Sequence, residues 1–314
     1  MTLTSKFKNK LLVVNKHSGP TSFDVVRYFR KATKIRKVGH TGTLDPMATG
    51  VLLLCTGKAT KAVEHFMDIE KEYEFTVHLG IETTTLDAHG DVVREVECPE
   101  IPESDIRAAA ASFVGDYTLT PPAYSAIKRD GRRLYDRARA GEDIKADGRV
   151  VKIYSLDVTR IELPFVELRV RCSRGTYVRS IASDLGERLD LPAHVSRLTR
   201  TAIGPYRMVD AFPSERIFEG DLEGLVGIEL SDALDFLPGV VLKNSSRQQL
   251  LDGGLPVEED VIGTVGKVTN SPYLRILDEA GHLLAIGNRD RGHAVEPGAL
   301  VRSYRLFVDR GASS

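Results

Sequence analysis

Hydrophobic and polar positions alternate most clearly in two places. Tyr73, Phe75, Val77 and Leu79 are separated by Glu74, Thr76 and His78, and Val166, Leu168, Val170 and Cys172 by Glu167, Arg169 and Arg171. A period of two predicts half-buried strands. Leu11 to Val14 and Val51 to Leu54 are short continuous apolar runs. The first predicts a strand ending at Asn15-Lys16; the second fits a strand or the start of a packed helix. After the His17-Ser18-Gly19-Pro20 turn, Thr21 or Ser22 can cap a helix with Asp24 in its first turn. Val25, Val26 and Phe29 mark its inner face, and Arg27, Arg30, Lys31 and Lys34 its wet side. A second helix is predicted from Pro102 to Val114, with Ile106, Ala109, Ala110 and Phe113 inward and Gly115 stopping it. A third follows Gly175, burying Val178, Ile181, Ala182, Leu185 and Leu189. Its first turn holds Arg179, mildly unfavourable to the helix dipole, which invites a functional reason.

Between these elements the pattern weakens. Gly80 to Asp91 reads as a polar loop or hairpin containing Asp87 and His89. Pro121-Pro122 breaks regular structure, Asp130-Gly131 suggests a turn, and a basic stretch interleaved with Tyr124 and Tyr135 follows, read as a phosphate and base contact or as a plain basic helix. Residues 213–237 form an acidic, partly helical connector with seven acids and one arginine. From Pro238 onward, short apolar runs split by glycines predict a compact β-rich unit with a short helix near Ser246 to Leu251. The fold class is therefore α+β, with one unit over residues 1–237 and a second over 238–314.

Composition changes this picture little. The chain has 314 residues, 42% hydrophobic and 28% charged, with a net charge of -1. Charge distribution says more: residues 1–62 hold twelve Lys or Arg and only Asp24 and Asp45 as acids. That asymmetry allows a basic face on a nearly neutral protein. None of Cys55, Cys98 and Cys172 forms a CxxC pair, so no disulfide framework or thiolate zinc site is suggested, and Cys55 and Cys172 read as small core residues. No apolar stretch reaches membrane-spanning length and the N-terminus lacks a signal-like segment, so a reducing cytoplasm is expected.

The candidate chemistry centres on Lys37 to Lys61, KVGHTGTLDPMATGVLLLCTGKATK. A lone acid, Asp45, stands among Gly39, Gly42 and Gly50 and directly before Pro46. Such a segment either presents one carboxylate to a nucleotide or is a tight surface loop capped by an aspartate. Asp87 with His89 lacks the two further ligands a metal needs, so no metal is expected.

Read as blocks, LLVVNKHSGPTS, GHTGTLDPMATG, KEYEF, GIETTTLDAHGD, PPAYSAIKRDGRRLY and CSRGTYVRSIASDLG occur in an order that resembles the bacterial TruB family, which makes pseudouridine at position 55 in the T arm of transfer RNA. The Gly80–Asp91 block departs slightly, carrying Ile81-Glu82. The resemblance implies a mixed sheet with flanking helices around a central cleft, followed by a small PUA-like RNA-binding module. By the same resemblance Asp45 takes the catalytic position, and Arg179 the position of the arginine that pairs with it. Tyr73 matches the active-site tyrosine, Lys16 a supporting lysine, Leu198 an apolar pocket residue, and His40 the histidine that fills space near the displaced nucleotide. Asp87 and Tyr177 match cleft residues. Lys58, Lys61, Lys128, Arg129 and Arg132 are candidates for the RNA backbone.

The implied reaction conserves atoms: the N1–C1′ bond breaks, the base turns, and C5 bonds to C1′. No cofactor is required, and the nucleotide must leave its stack to be reached. One carboxylate can stabilise or attack the electron-poor sugar; attack at C1′, attack at C6 and a glycal-type elimination all fit these residues. The implied partner is the transfer-RNA T stem-loop, with a monomer sufficient. Three rivals stand beside this reading: a non-catalytic RNA-binding or chaperone protein, a pseudouridine synthase for another RNA, and a small-molecule glycosidase or nucleosidase.

Overall fold

The computed structural model describes residues 2–124, 147–266, 271–289 and 298–308, together with the backbone of two short paired strands, Lys128–Arg129 and Arg132–Arg133. The expected Asp130-Gly131 turn and the basic helix after it lie outside the described residues.

The two apolar runs near the N-terminus are both strands, Lys10–Lys16 and Thr49–Thr56, paired antiparallel with Leu12 opposite Leu54 and Val14 opposite Leu52. They read as continuous hydrophobic runs because both faces are covered. Leu12, Val14, Leu52 and Leu54 enter one core, whereas Leu11, Val13, Val51, Leu53 and Cys55 enter another on the opposite face. The alternating segments are the strands Lys71–Leu79 and Phe165–Cys172, in register from Phe165 opposite His78 to Cys172 opposite Lys71. Among the described residues, eleven strands form one mixed sheet. Its main path runs Phe212–Pro213, Lys10–Lys16, Thr49–Thr56, Ala193–Ile203, Lys71–Leu79, Phe165–Cys172, Arg149–Glu162, Gly115–Leu119. The strand Ala193–Ile203 carries no strand pattern in the sequence, yet it lies at the centre. It pairs along its length with Lys71–Leu79, but its parallel contact with Thr49–Thr56 is two residue pairs long, Thr199 with Thr49 and Arg200 with Gly50.

Three helices cover one face of the sheet. Ser22–Thr33 contributes Val25, Val26 and Phe29, with Arg27, Arg30 and Lys31 exposed as expected. Thr21 caps it through a full capping box with Asp24. Glu103–Ala111 is shorter than the Pro102–Val114 expectation but buries Ile106 and Ala110. Val178–Arg188 buries Val178, Ile181, Ala182 and Leu185.

The acidic connector is less a linker than a second lid. Ile228–Glu229 pairs with Leu11 and Lys10, and Leu230, Leu234 and Leu237 join the core on the face away from the helices. A separate five-stranded, PUA-like sheet follows in the order Val261–Val265, Gly239–Leu242, Tyr273–Leu277, Leu283–Asn288, Ser303–Leu306, with the helix Asn244–Leu251 against it. One face has its own core of Val240, Leu242, Leu250, Leu274, Ile276 and Leu284. Leu277, Leu283, Ile286 and Phe307 instead share a cluster with Phe66, Leu230 and Leu234. No helix among the described residues is long and apolar enough to cross a membrane.

Candidate active site

The segment between the strand Val38–His40 and the strand Thr49–Thr56 carries Asp45, and its backbone is tied down from several directions. The buried Ser22 hydroxyl accepts from the Leu44 amide at 2.8 Å and donates to the Leu44 carbonyl at 3.2 Å. The amide of Gly19 donates to Pro46 O, and that of Ala48 to Asp45 O. Lys16, fully buried at the end of its strand, donates to His17 O, Pro46 O and Ala48 O at 2.8, 3.1 and 2.7 Å. Burial lowers its pKa to about 8, although the Asp45 charge opposes the fall.

Arg179, from the helix Val178–Arg188, meets Asp45. Its Nη2 donates to Asp45 Oδ1 at 3.2 Å, and its Nε lies 3.0 Å from Oδ2, although that N–H is not aligned for a hydrogen bond. The guanidinium is 4% exposed and the Asp45 side chain 31%. The remaining donors reach Thr85 O at 2.9 Å and Tyr124 O at 3.0 Å, and Asp87 Oδ2 lies 3.8 Å away. These acceptors account for an arginine in the first turn of a helix: its charge is spent on groups outside the helix. Asp87 is itself fixed by the Thr85 hydroxyl and the His89 amide. Among the described residues no group of three or more His, Cys, Asp or Glu is arranged to hold a metal ion.

The electrostatics of the pair are balanced against each other. Enclosure pushes the Asp45 carboxyl above the usual carboxylate range, Arg179 and Lys16 pull it down, and Asp87 pushes it up again. Burial also raises the Tyr73 hydroxyl, against the opposing charge of Arg200, so this phenol holds its proton more tightly than a free one. His40 is half-buried; burial and then Arg200 lower its pKa, favouring the neutral ring, whose Nδ1 accepts from the Gly42 amide at 3.3 Å.

Leu198 is buried opposite Phe75 in the central strands. A groove of about 780 Å³ opens beside the loop, with Met47, Thr49, Phe75, His89 and Leu198 among its walls; Asp45 is not one of them. Tyr177 is half-buried at the N-cap of its helix, with the Arg149 guanidinium 4.9 Å from its ring centre. Lys61 is not an open cation: its Nζ donates to Leu306 O at 2.8 Å, bridging to the C-terminal sheet. The backbone amide of Lys58 is held by Asn9 Oδ1. The side chains of Lys128, Arg129 and Arg132 lie outside the described residues.

A residue that no pattern in the sequence marks stands behind the loop. Arg200 is 2% exposed, donates from Nε to Val51 O at 2.7 Å and from Nη2 to Gly42 O at 3.1 Å, and pairs with Tyr73 across the strands. The only sequence signal was an arginine two positions beyond Leu198, in a segment too polar to announce burial.

Comparison with known proteins adds relatives to this geometry. Residues 30–178 match the family described as TruB family pseudouridylate synthase, N-terminal domain. The chain is 38% identical to tRNA pseudouridine synthase B of Clostridium tetani over 271 residues, covering 86% of this chain and 92% of that protein. It is 44% identical to the protein of the same name from Opitutus terrae over 207 residues, covering 66% of this chain and 86% of that one. Among solved structures, a chain of a Cbf5-Nop10-Gar1 complex superposes with a TM-score of 0.73 at 24% identity, covering 99% of this chain and 88% of that one, a likeness of fold.

Proposed function

Since this chain belongs to the TruB family of pseudouridylate synthases, we propose that it isomerises uridine to pseudouridine in transfer RNA, at position 55 of the T arm. The observation that carries the reading to the site is the Asp45–Arg179 contact at 3.0 and 3.2 Å, on a loop whose Met47 and Thr49 line a groove, in a chain 38% identical over 271 residues to a tRNA pseudouridine synthase B. The 1–237 unit is the catalytic part and the 238–314 unit the PUA-like RNA-binding part, acting on cytoplasmic transfer RNA.

In this reading the nucleotide leaves its stack and enters the cleft, with His40, neutral and beside the Asp45 loop, placed to fill the gap. Breaking N1–C1′ leaves an electron-poor sugar and an electron-rich base. The Asp45 carboxylate opposes or captures the positive carbon, aimed by Arg179, whose planar fork constrains direction as a lysine would not. The detached base turns, C5 bonds to C1′, the C5 proton leaves and N1 gains one. Tyr73, its hydroxyl kept protonated by burial, serves as a ring to stack on and a donor rather than as a free base. Leu198 and Phe75 supply apolar wall.

The deciding experiment maps pseudouridine in transfer RNA before and after adding purified protein. Appearance at position 55 with wild type and absence with Asp45→Asn, at similar RNA affinity, is the expected result. Turnover near normal in Asp45→Asn would end the assignment, and modification only at other sites would favour a synthase for another RNA.

A further inference from the structure

We propose that Arg200 is a positioning residue for this reaction: its guanidinium clamps both ends of the loop that carries Asp45. The inference rests on the reading of Asp45 given above. Gly42 precedes Asp45 and Val51 follows it, and one planar group holds both carbonyls, at 3.1 and 2.7 Å. Two acceptors fixed to one rigid plane fix the chord between them, and with it the direction in which residues 42–51 bulge. Lys16 holds the interior of the same loop at Pro46 O and Ala48 O. The loop is thus fastened from beneath by two buried cations at four carbonyls, and Asp45 is aimed from above by Arg179.

The loop is shaped around this residue. Gly50 has φ +103°, and a Cβ there would lie 2.2 Å from the Arg200 carbonyl oxygen. A Cβ on Gly42 would lie 3.7 Å from Arg200 Nη1, in ordinary contact. Two glycines of the GHTGTLDPMATG stretch therefore lie against a residue 150 positions away from the second of them. Burial of this charge also calls for an explanation. Among the described residues Arg200 forms no ion pair with a carboxylate, and a dry guanidinium without one is unfavourable unless acceptors take its N–H groups. An apolar side chain would fill the volume but take the guanidinium donors away from both carbonyls.

The test uses the full-length protein with Arg200→Lys and Arg200→Met. Lysine keeps charge and length but lacks the fork. Three quantities are read: single-turnover pseudouridine formation on saturating transfer RNA, RNA affinity, and backbone hydrogen exchange over residues 42–51. For Arg200→Lys, misplacement of Asp45 should slow the single-turnover rate about 100-fold, with affinity within about threefold of wild type. Exchange should quicken over 42–51 while the helix Val178–Arg188 keeps its protection. Arg200→Met should be slower still; if it does not accumulate as folded protein, Arg200→Lys alone decides. A wild-type rate in Arg200→Lys, unchanged exchange over 42–51, or a rate loss matched by lost affinity or folded fraction would each overturn the proposal. Should Asp45→Asn retain activity, the catalytic assignment itself fails, a result separable from any outcome at Arg200.

Discussion

Asp45, Arg179 and Lys16 make their predictions through charge. Arg179→Lys should lower the single-turnover rate by about 10²- to 10³-fold, because an ammonium cannot serve Asp45, Thr85 O and Tyr124 O from one plane. In the proposed mechanism Asp45 acts as a carboxylate, so the rate should fall as pH drops through its raised pKa. Arg179 is the largest influence lowering that pKa, so in Arg179→Gln the acid limb of the pH–rate profile should move to higher pH. A limb at the wild-type position would mean that the pair does not govern ionisation. Lys16 behaves oppositely. Its folded pKa of about 8 lies below the ordinary 10.5, so the folded state releases this proton first. The cost of burying its charge is complete below pH 8 and fades as pH rises toward 10.5. Wild type should therefore gain stability relative to Lys16→Met over that window, measured by urea melts at pH 7 and pH 10. The lone acid in its glycine-rich stretch marks Asp45 in the sequence as a candidate, beside the reading of a capped surface loop. Arg200 is not so marked, because a side chain that satisfies carbonyls leaves no complementary acid to pair it with, and its neighbours Arg197 and Thr201 disguise its burial.

Among the elements, those with regular periods were readable and those whose burial breaks the period were not. The strands Lys71–Leu79 and Phe165–Cys172 present one polar and one apolar side, and their alternation marks them. Ala193–Ile203 hides from the same test: it buries His194 and Arg200 as well as Val195 and Leu198, and its register slips twice against Lys71–Leu79. The sequence offers Thr21 or Ser22 as the N-cap, the structure takes Thr21, and the cap carries a prediction. Thr21→Ala removes the hydroxyl, which accepts from the Asp24 amide and donates to the Asp24 carboxylate, while the Thr21 amide keeps its bond to that carboxylate. The expected loss is about 1 kcal/mol, read as a lower denaturant midpoint at constant slope. Because Ser22 in the next position bonds Leu44, a larger loss of activity than of stability would show that the cap also sets the loop.

The whole molecule is held together more tightly than a two-unit description suggests. The connector reads as acidic and partly helical, and its Leu230, Leu234 and Leu237 share one apolar cluster with Phe66 and with Leu277, Leu283 and Phe307. Arg275 donates to Leu237 O and Ser231 O, and Arg305 to Lys61 O and Glu64. Removing residues 238–314 would expose that shared apolar surface, so a fragment ending at 237 should melt earlier than the full chain and associate on heating. The exposed cations Lys6, Lys8, Arg30, Lys31, Lys34, Arg36 and Lys37 should give RNA affinity a steep salt dependence, and a flat response across a salt series would remove phosphate contacts from that face.

The two-pair parallel contact between Thr49–Thr56 and Ala193–Ile203 has a consequence for how the large sheet comes apart. On either side of it lie long antiparallel ladders, so the sheet has a fault line, and the proposed site straddles it, with the Asp45 loop before one strand and Tyr73 on the strand beyond the other. A hydroxyl pair, Thr49 with Thr199, and one guanidinium stitch across where amides would otherwise zip. Opening along that line would separate the aspartate from its tyrosine before either ladder frays, so warming should silence the enzyme while most of its strands are still intact.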